Sequence, residues 1–186
     1  LGVAILAAYA ATRLEFRGKT AINWSILLVY MVPAIVLAIP LFVLFSRLGL
    51  RQDVVRRLIG LIVVYLSATL PVALYMLRSY FQTIPLELEE AAMIDGSTRL
   101  ETIWRIVIPL AIPAIASTGL YIFMIAWNEF LFALLFLLEQ RDAWTLSLGV
   151  RQLDTQEVPK TMLMAGSVII SVPVVVLFFF FERFLT

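Results

Sequence analysis

The chain has no cysteine and no histidine. The first absence excludes disulfide staples and thiol catalysis. The second removes the usual general base, and the two together remove the common zinc sites. Charge is scarce as well. Asp, Glu, Lys and Arg make up 15% of 186 residues and sum to +1, which gives nucleic acid nothing to hold. No Gly-rich phosphate loop ending in Lys-Ser or Lys-Thr occurs, so the chain does not bind ATP by that route. No cofactor of the chain's own is expected.

What is present is apolar. Hydrophobic residues are 62% of the chain and the mean hydropathy is +1.00. A water-soluble domain of this composition lacks the polar surface to cover itself, so a membrane protein is implied. Four segments, near residues 25–45, 58–78, 106–128 and 161–181, reach the roughly 20 residues that a helix needs to cross a bilayer. The stretches Ser25–Phe45, Leu58–Leu77, Ile106–Asn128 and Thr161–Phe181 carry no charge. Hydrocarbon forces each to satisfy its own backbone polar groups, which selects helix over open sheet. Pro33, Pro40, Pro71, Pro113 and Pro173 lie within them, as packing kinks or, less commonly, as moving hinges. Leu1–Ala11 is apolar but too short to cross. It is expected to be the end of a span begun upstream, making the chain a piece of a longer protein.

The loops do not orient the chain by charge. Arg13, Arg17, Lys19, Arg78, Arg99, Arg105 and Arg183 fall on one side. Arg47, Arg51, Arg56, Arg57, Arg141, Arg151 and Lys160 fall on the other, seven against seven. The apolar patch Phe130–Leu138 is too short to span. It reads as an interfacial or re-entrant piece, or as packing beneath a partner.

The polar stretch 82–105 between two spans is the most informative. Pro85 suits a first helical turn, and Glu87, Glu89 and Glu90 complement the helix dipole there. Leu88, Ala91 and Ala92 are expected on one face, where small side chains admit a close partner. Gly96 fits the left-handed position that ends a helix, and Thr98 with Glu101 forms a capping box for the next. A connector lying on lipid headgroups would be rich in Lys and Arg. This helix is acidic, which suits a protein partner better.

Glu90-Ala91-Ala92, then Gly96 after three residues, then Ile106-Val107-Ile108-Pro109 after nine more, resembles the signature loop of ABC importer permease subunits. Ile108 replaces the usual Leu. Ile84–Glu89, Ala126–Phe130 and Thr145–Val150 are similar to the carbohydrate-uptake class, and within it to the smaller permease of maltose-type importers. The resemblance implies an all-α, polytopic transmembrane helical bundle lacking the family's first span, most of its second and the extreme C-terminal tail. It also implies a cytoplasmic coupling helix and a cytoplasmic C-terminus in the inner membrane. Glu90, Ala91, Ala92, Asp95 and Gly96 would dock on an ATP-binding cassette ATPase dimer, which binds ATP-Mg. A second permease subunit, as a heterodimer, and an extracytoplasmic sugar-binding protein complete the expected assembly. The permease itself would do no covalent chemistry. The four Arg of the 46–57 loop would then face outward, toward lipid phosphate or a partner.

Asn128 and Glu129, at the outer end of a span, are candidates for the translocation pathway or, alternatively, interface anchors. Trp127 reads as an aromatic-belt residue, and Asn23 and Trp24 look similar. Tyr65, Ser67 and Thr69 line a cavity or glue helices together. A secondary transporter would need charge within a span, and none is there. An importer for glycerol phosphate, polyamine or another solute and a non-transporting membrane scaffold are the remaining alternatives.

Overall fold

The computed structural model describes residues 1–155 and 158–184, and every regular element among them is helical. In chain order these are α1 (Gly2–Arg13), α2 (Lys19–Met31), α3 (Ala34–Arg47), α4 (Val54–Phe81), α5 (Leu86–Ile94), α6 (Arg99–Thr102), a π turn (Ile103–Val107), α7 (Ile108–Leu110), α8 (Ile112–Trp127), α9 (Leu131–Leu137), a 3-10 turn (Arg141–Ala143), α10 (Leu146–Gln152) and α11 (Lys160–Glu182). The all-α, multi-helix membrane architecture expected from composition is the one observed.

Helix α4 is the axis. At 28 residues it is about 42 Å long, more than the hydrocarbon needs, so its ends emerge among polar groups. Asp53 caps its start by accepting the Arg56 N–H. Two cores grow on it, one on each side of Pro71. Toward the C-terminal end, Ala73, Leu77 and Phe81 pack with Ala4, Ala8 and Tyr9 of α1 and with Ile84, Ile103, Val107 and Ala111. Toward the N-terminal end, Leu61 and Val64 pack with Ala38 and Phe45 of α3, with Phe132, Ala133, Phe136 and Leu137 of α9, and with Leu148 of α10. Helix α8 lies along α4, and α11 contacts α8 and α10 while leaving most of its apolar surface uncovered.

Among the described residues, only α4 and α11 are single helices long and apolar enough to cross a membrane. The expected span 25–45 is two helices, α2 and α3. They part at Val32–Pro33, where Val32 is extended (φ −76°, ψ 119°) because a following proline disfavours the helical conformation. The expected span 106–128 is also broken. The segments Arg99–Leu110 and Ile112–Trp127 meet at 77°. Pro109 brings no N–H and crowds the carbonyl four residues back. The preceding turn widens, so that the Ile108 N–H donates to Ile103 O, and Ala111 leaves helical geometry (φ −92°, ψ 5°) just ahead of Pro113.

The patch Phe130–Leu138 has a place within the chain itself. As α9 it is a buried part of this chain's own core, with Ala133, Phe136 and Leu137 fully covered.

Candidate functional site

The segment between α4 and α8 is built as its local chemistry requires. The backbone of α5 ends in a Schellman motif. Gly96 takes φ +89°, the Ser97 N–H donates to Ala92 O (3.0 Å), and the Gly96 N–H donates to Met93 O (3.1 Å). Two residues on, the Thr98 side chain accepts the Glu101 N–H while the Glu101 carboxylate accepts the Thr98 N–H (2.8 Å). Those hydrogen bonds, with Arg105 nearby, hold the Glu101 carboxyl below the usual carboxylate range.

The faces of α5 differ from the expected pattern. Glu87, Leu88, Glu90, Ala91, Asp95 and Gly96 are exposed, and Ile94 stands 85% exposed at the helix end. Ala92 is buried, so its small side chain lets α5 sit close on its own chain. Beside it Glu89, expected to act as a dipole-complementing acid, is turned inward and only 2% exposed. Its two carboxylate oxygens accept from Arg13 Nε (2.7 Å) and from the Tyr9 hydroxyl (2.7 Å). Arg13 also donates from Nη2 to the Ile84 carbonyl in the α4–α5 turn (2.6 Å). Sequence reasoning missed Glu89 and Ile94. The available signal was helical spacing: Glu89 shares a face with Ala92, while Glu87, Glu90, Ala91 and Ile94 share the opposite one.

Asn128 and Glu129 follow the C-terminal end of α8, a helix of 16 residues and about 24 Å that leads away from the coupling segment beyond α7 and the 77° bend. Asn128 is exposed and donates to Met124 O, the last turn of its own helix. Glu129 is fully engaged. It accepts the N–H groups of Phe132 (2.7 Å) and Ala133 (3.1 Å), capping α9, and the Tyr65 hydroxyl (3.0 Å) from α4. Its backbone carbonyl accepts the Ser147 hydroxyl at 2.5 Å. Tyr65 and Thr69 line a groove of about 540 Å³ between α4, α8 and α11. Ser67 and Thr69 bond carbonyls of α4 itself, just before Pro71, rather than another helix.

Trp127, read as an aromatic-belt residue, also has a partner inside the chain. Its indole N–H crosses to Ile170 O of α11 (2.9 Å), next to the carbonyl of Ile169 that Pro173 deprives of its helical donor. Three Arg of the 46–57 loop are also occupied within the chain. Arg57, 8% exposed, donates to Arg51 O, Phe136 O and Glu139 (2.8 Å). Arg51 lies over the Phe42 ring (4.1 Å), and Arg56 pairs with Asp53 and Gln52.

Over residues 2–186 the chain matches the family described as the binding-protein-dependent transport system inner membrane component. It belongs to that family. It is 43% identical over 182 residues to the inner membrane ABC transporter permease protein YcjP of Escherichia coli, covering 97% of this chain and 63% of that protein. It is 39% identical over 187 residues to the trehalose/maltose transport system permease protein MalG of Thermococcus litoralis, covering 100% and 66%. It is 35% identical over 181 residues to the trehalose transport system permease protein SugB of Mycobacterium tuberculosis, covering 96% and 64%. The chain thus spans just under two thirds of the length of these permease relatives. Its motif-based resemblance to sugar permeases and its family membership agree.

Proposed function

We propose that the chain is the membrane-spanning permease part of a binding-protein-dependent ABC importer for a sugar, working in the inner membrane beside a second permease subunit. In this reading α5 and the C-terminus are cytoplasmic. Glu90, Ala91 and Asp95, with Ile94 at their centre, meet a groove on an ATPase dimer that holds ATP-Mg. Ala92 lets the helix seat on its own spans, and Gly96 sets where it stops. A sugar-binding protein delivers cargo to the opposite face. Of the two pathway candidates Asn128 is the one whose amide oxygen has no partner among the described residues, while Glu129 caps α9.

The observation that carries the reading is the construction of α5. It is a nine-residue helix with a mixed acidic and apolar outer face, unpartnered within the described residues, and clamped through its inner face to the helical bundle. Membrane-surface helices carry cations and sink their apolar face in lipid. This helix offers carboxylates around one exposed Ile, which suits a protein groove with basic groups. The permease does no covalent chemistry. Its work is the different affinity of two conformations for nucleotide-bound ATPase and for sugar.

The test is ATP hydrolysis by the full-length complex in proteoliposomes with a panel of sugar-loaded binding proteins, comparing wild type with Gly96→Pro. Stimulation by one sugar, lost in an assembled Gly96→Pro complex, supports the reading. An intact complex that no sugar stimulates moves the assignment to another solute. No association with any ATPase leaves a membrane scaffold.

A further inference from the structure

Resting on the docking reading of α5, we infer that Tyr9, Arg13 and Glu89 form a strut that makes α1 follow the coupling helix. They are positioning residues for transport and touch neither ATP nor sugar.

The chain itself links α5 to α4 through residues 82–85 and to α8 through α6 and the π turn. It gives α5 no local link to α1, which precedes it by more than 70 residues. The side chains supply one. Both Glu89 oxygens are taken from α1, by Arg13 Nε and the Tyr9 hydroxyl, each at 2.7 Å. The third contact, Arg13 Nη2 to Ile84 O, ties the same guanidinium to the turn that carries α5. The side chains of Arg13 and Glu89 are 12% and 2% exposed, so salt screens the pair little.

Stability alone does not account for such a group. Replacing a buried ion pair by apolar residues of similar volume is often neutral or stabilising. Charge-assisted hydrogen bonds to a planar fork supply direction instead. The core that α1 shares with α4, with Ala4, Ala8 and Ile5 in it, is held by non-directional apolar contact, whereas three aimed hydrogen bonds fix a direction. Tyr9 also belongs to the core that Ala73, Leu77 and Phe81 build beyond Pro71. The strut therefore joins α1, the C-terminal half of α4 and α5 into one body. The second core, on the other side of Pro71, is the body it moves against.

The experiment uses the full-length reconstituted complex. Single variants such as Glu89→Gln leave a buried partner unpaired and risk misassembly, so the decisive variant is the neutral pair Arg13→Met/Glu89→Leu, made together with Tyr9→Phe so that the buried Tyr9 hydroxyl is not left without its acceptor. The chain has no cysteine of its own. Val3→Cys on α1 and Glu87→Cys on α5, both exposed positions, then carry spin labels without background from these 186 residues, any cysteine elsewhere in the full-length complex being replaced first. In the wild-type background the label-to-label distance should be the same with and without trapped ATP. In the neutral pair it should shift or broaden on trapping, and sugar uptake should fall at least about tenfold. Assembly and unstimulated ATP hydrolysis should persist. Wild-type uptake by the neutral pair overturns the strut, as does a nucleotide-dependent distance in the wild-type background. A wild-type complex that recruits no ATPase sinks the docking reading itself and takes the strut's role with it.

Discussion

Arg13 Nε and Glu89 Oε1 stand 2.7 Å apart across 76 residues of sequence, while the adjacent Glu90 faces away from the chain. Neighbouring positions on a helix differ by about 100° in direction, so two consecutive carboxylates acquire opposite roles. Glu89→Ala should destabilise the folded subunit by about 3–5 kcal/mol, because it strands a buried guanidinium. Glu90→Ala should change stability by no more than about 0.5 kcal/mol and should weaken ATPase association. Thermal unfolding of the purified full-length complex separates the two. The opposite ranking would show that Glu89 is not the inward carboxylate.

Gly96 has open space around it, for a Cβ there would meet no atom within 4 Å. Its requirement is conformational, set by φ +89°. Gly96→Ala should therefore cost about 1–2 kcal/mol through left-handed strain, felt first at the end of α5. Faster hydrogen exchange at the amides of residues 96 and 97, with slow exchange kept in α4, is the expected signature. Unchanged exchange at both amides would remove the Schellman stop as the reason for glycine.

The features that could be read from sequence are local ones. Thr98 with Glu101 and Gly96 after α5 declare themselves because cap chemistry lies within three or four residues. Hydropathy marked the apolar segments but not their breaks, since a window averages length and is blind to direction. The extended Val32 arises from Pro33, and the 77° bend at Ala111 from Pro109 and Pro113 on either side of it, acting on the backbone. The pairings Arg13–Glu89, Arg57–Glu139 and Trp127–Ile170 were not legible at all, because a partner some 40 to 80 residues away leaves no periodic mark. This also bears on the even split of Arg and Lys. A count treats every cation as free to choose a side, whereas Arg57 is committed to the α9 carbonyl of Phe136.

Glu139 gives the chain an acid-sensitive contact. The hydrogen bond and charge of Arg57, with the charge of Arg51, hold its carboxyl below its ordinary value of 4.5. A depressed folded value means the contribution is fully present above 4.5 and fades as pH falls through the lower folded value. Glu139 is largely exposed, so the effect is small. It should appear as opening of the loop after α9 under acid, with α5 unaffected. In Glu139→Gln this pH dependence should disappear, and hydrogen exchange of residues 137–144 between pH 6 and 3 measures it. An equal acid response in the variant would assign the titration elsewhere.

Gly60 lets α4 lie close against two rings of the second core. A Cβ there would lie 3.0 Å from Phe136 Cε1 and 3.3 Å from Phe45 Cδ2. The two rings meet edge to face at 5.5 Å, and Phe136 is fully buried, so neither has room to retreat. Alanine gains about 1 kcal/mol of helix propensity over glycine. Overpacking a filled core costs about 1–3 kcal/mol, so the sum should be a net loss for Gly60→Ala. If the clash is the cause, shortening the opposing ring should relieve it. Gly60→Ala combined with Phe136→Leu should then be more stable than the two single losses added together, a non-additivity expected only of residues in contact. Strict additivity in thermal unfolding would mean that α4 and α9 are not held as closely as this contact requires.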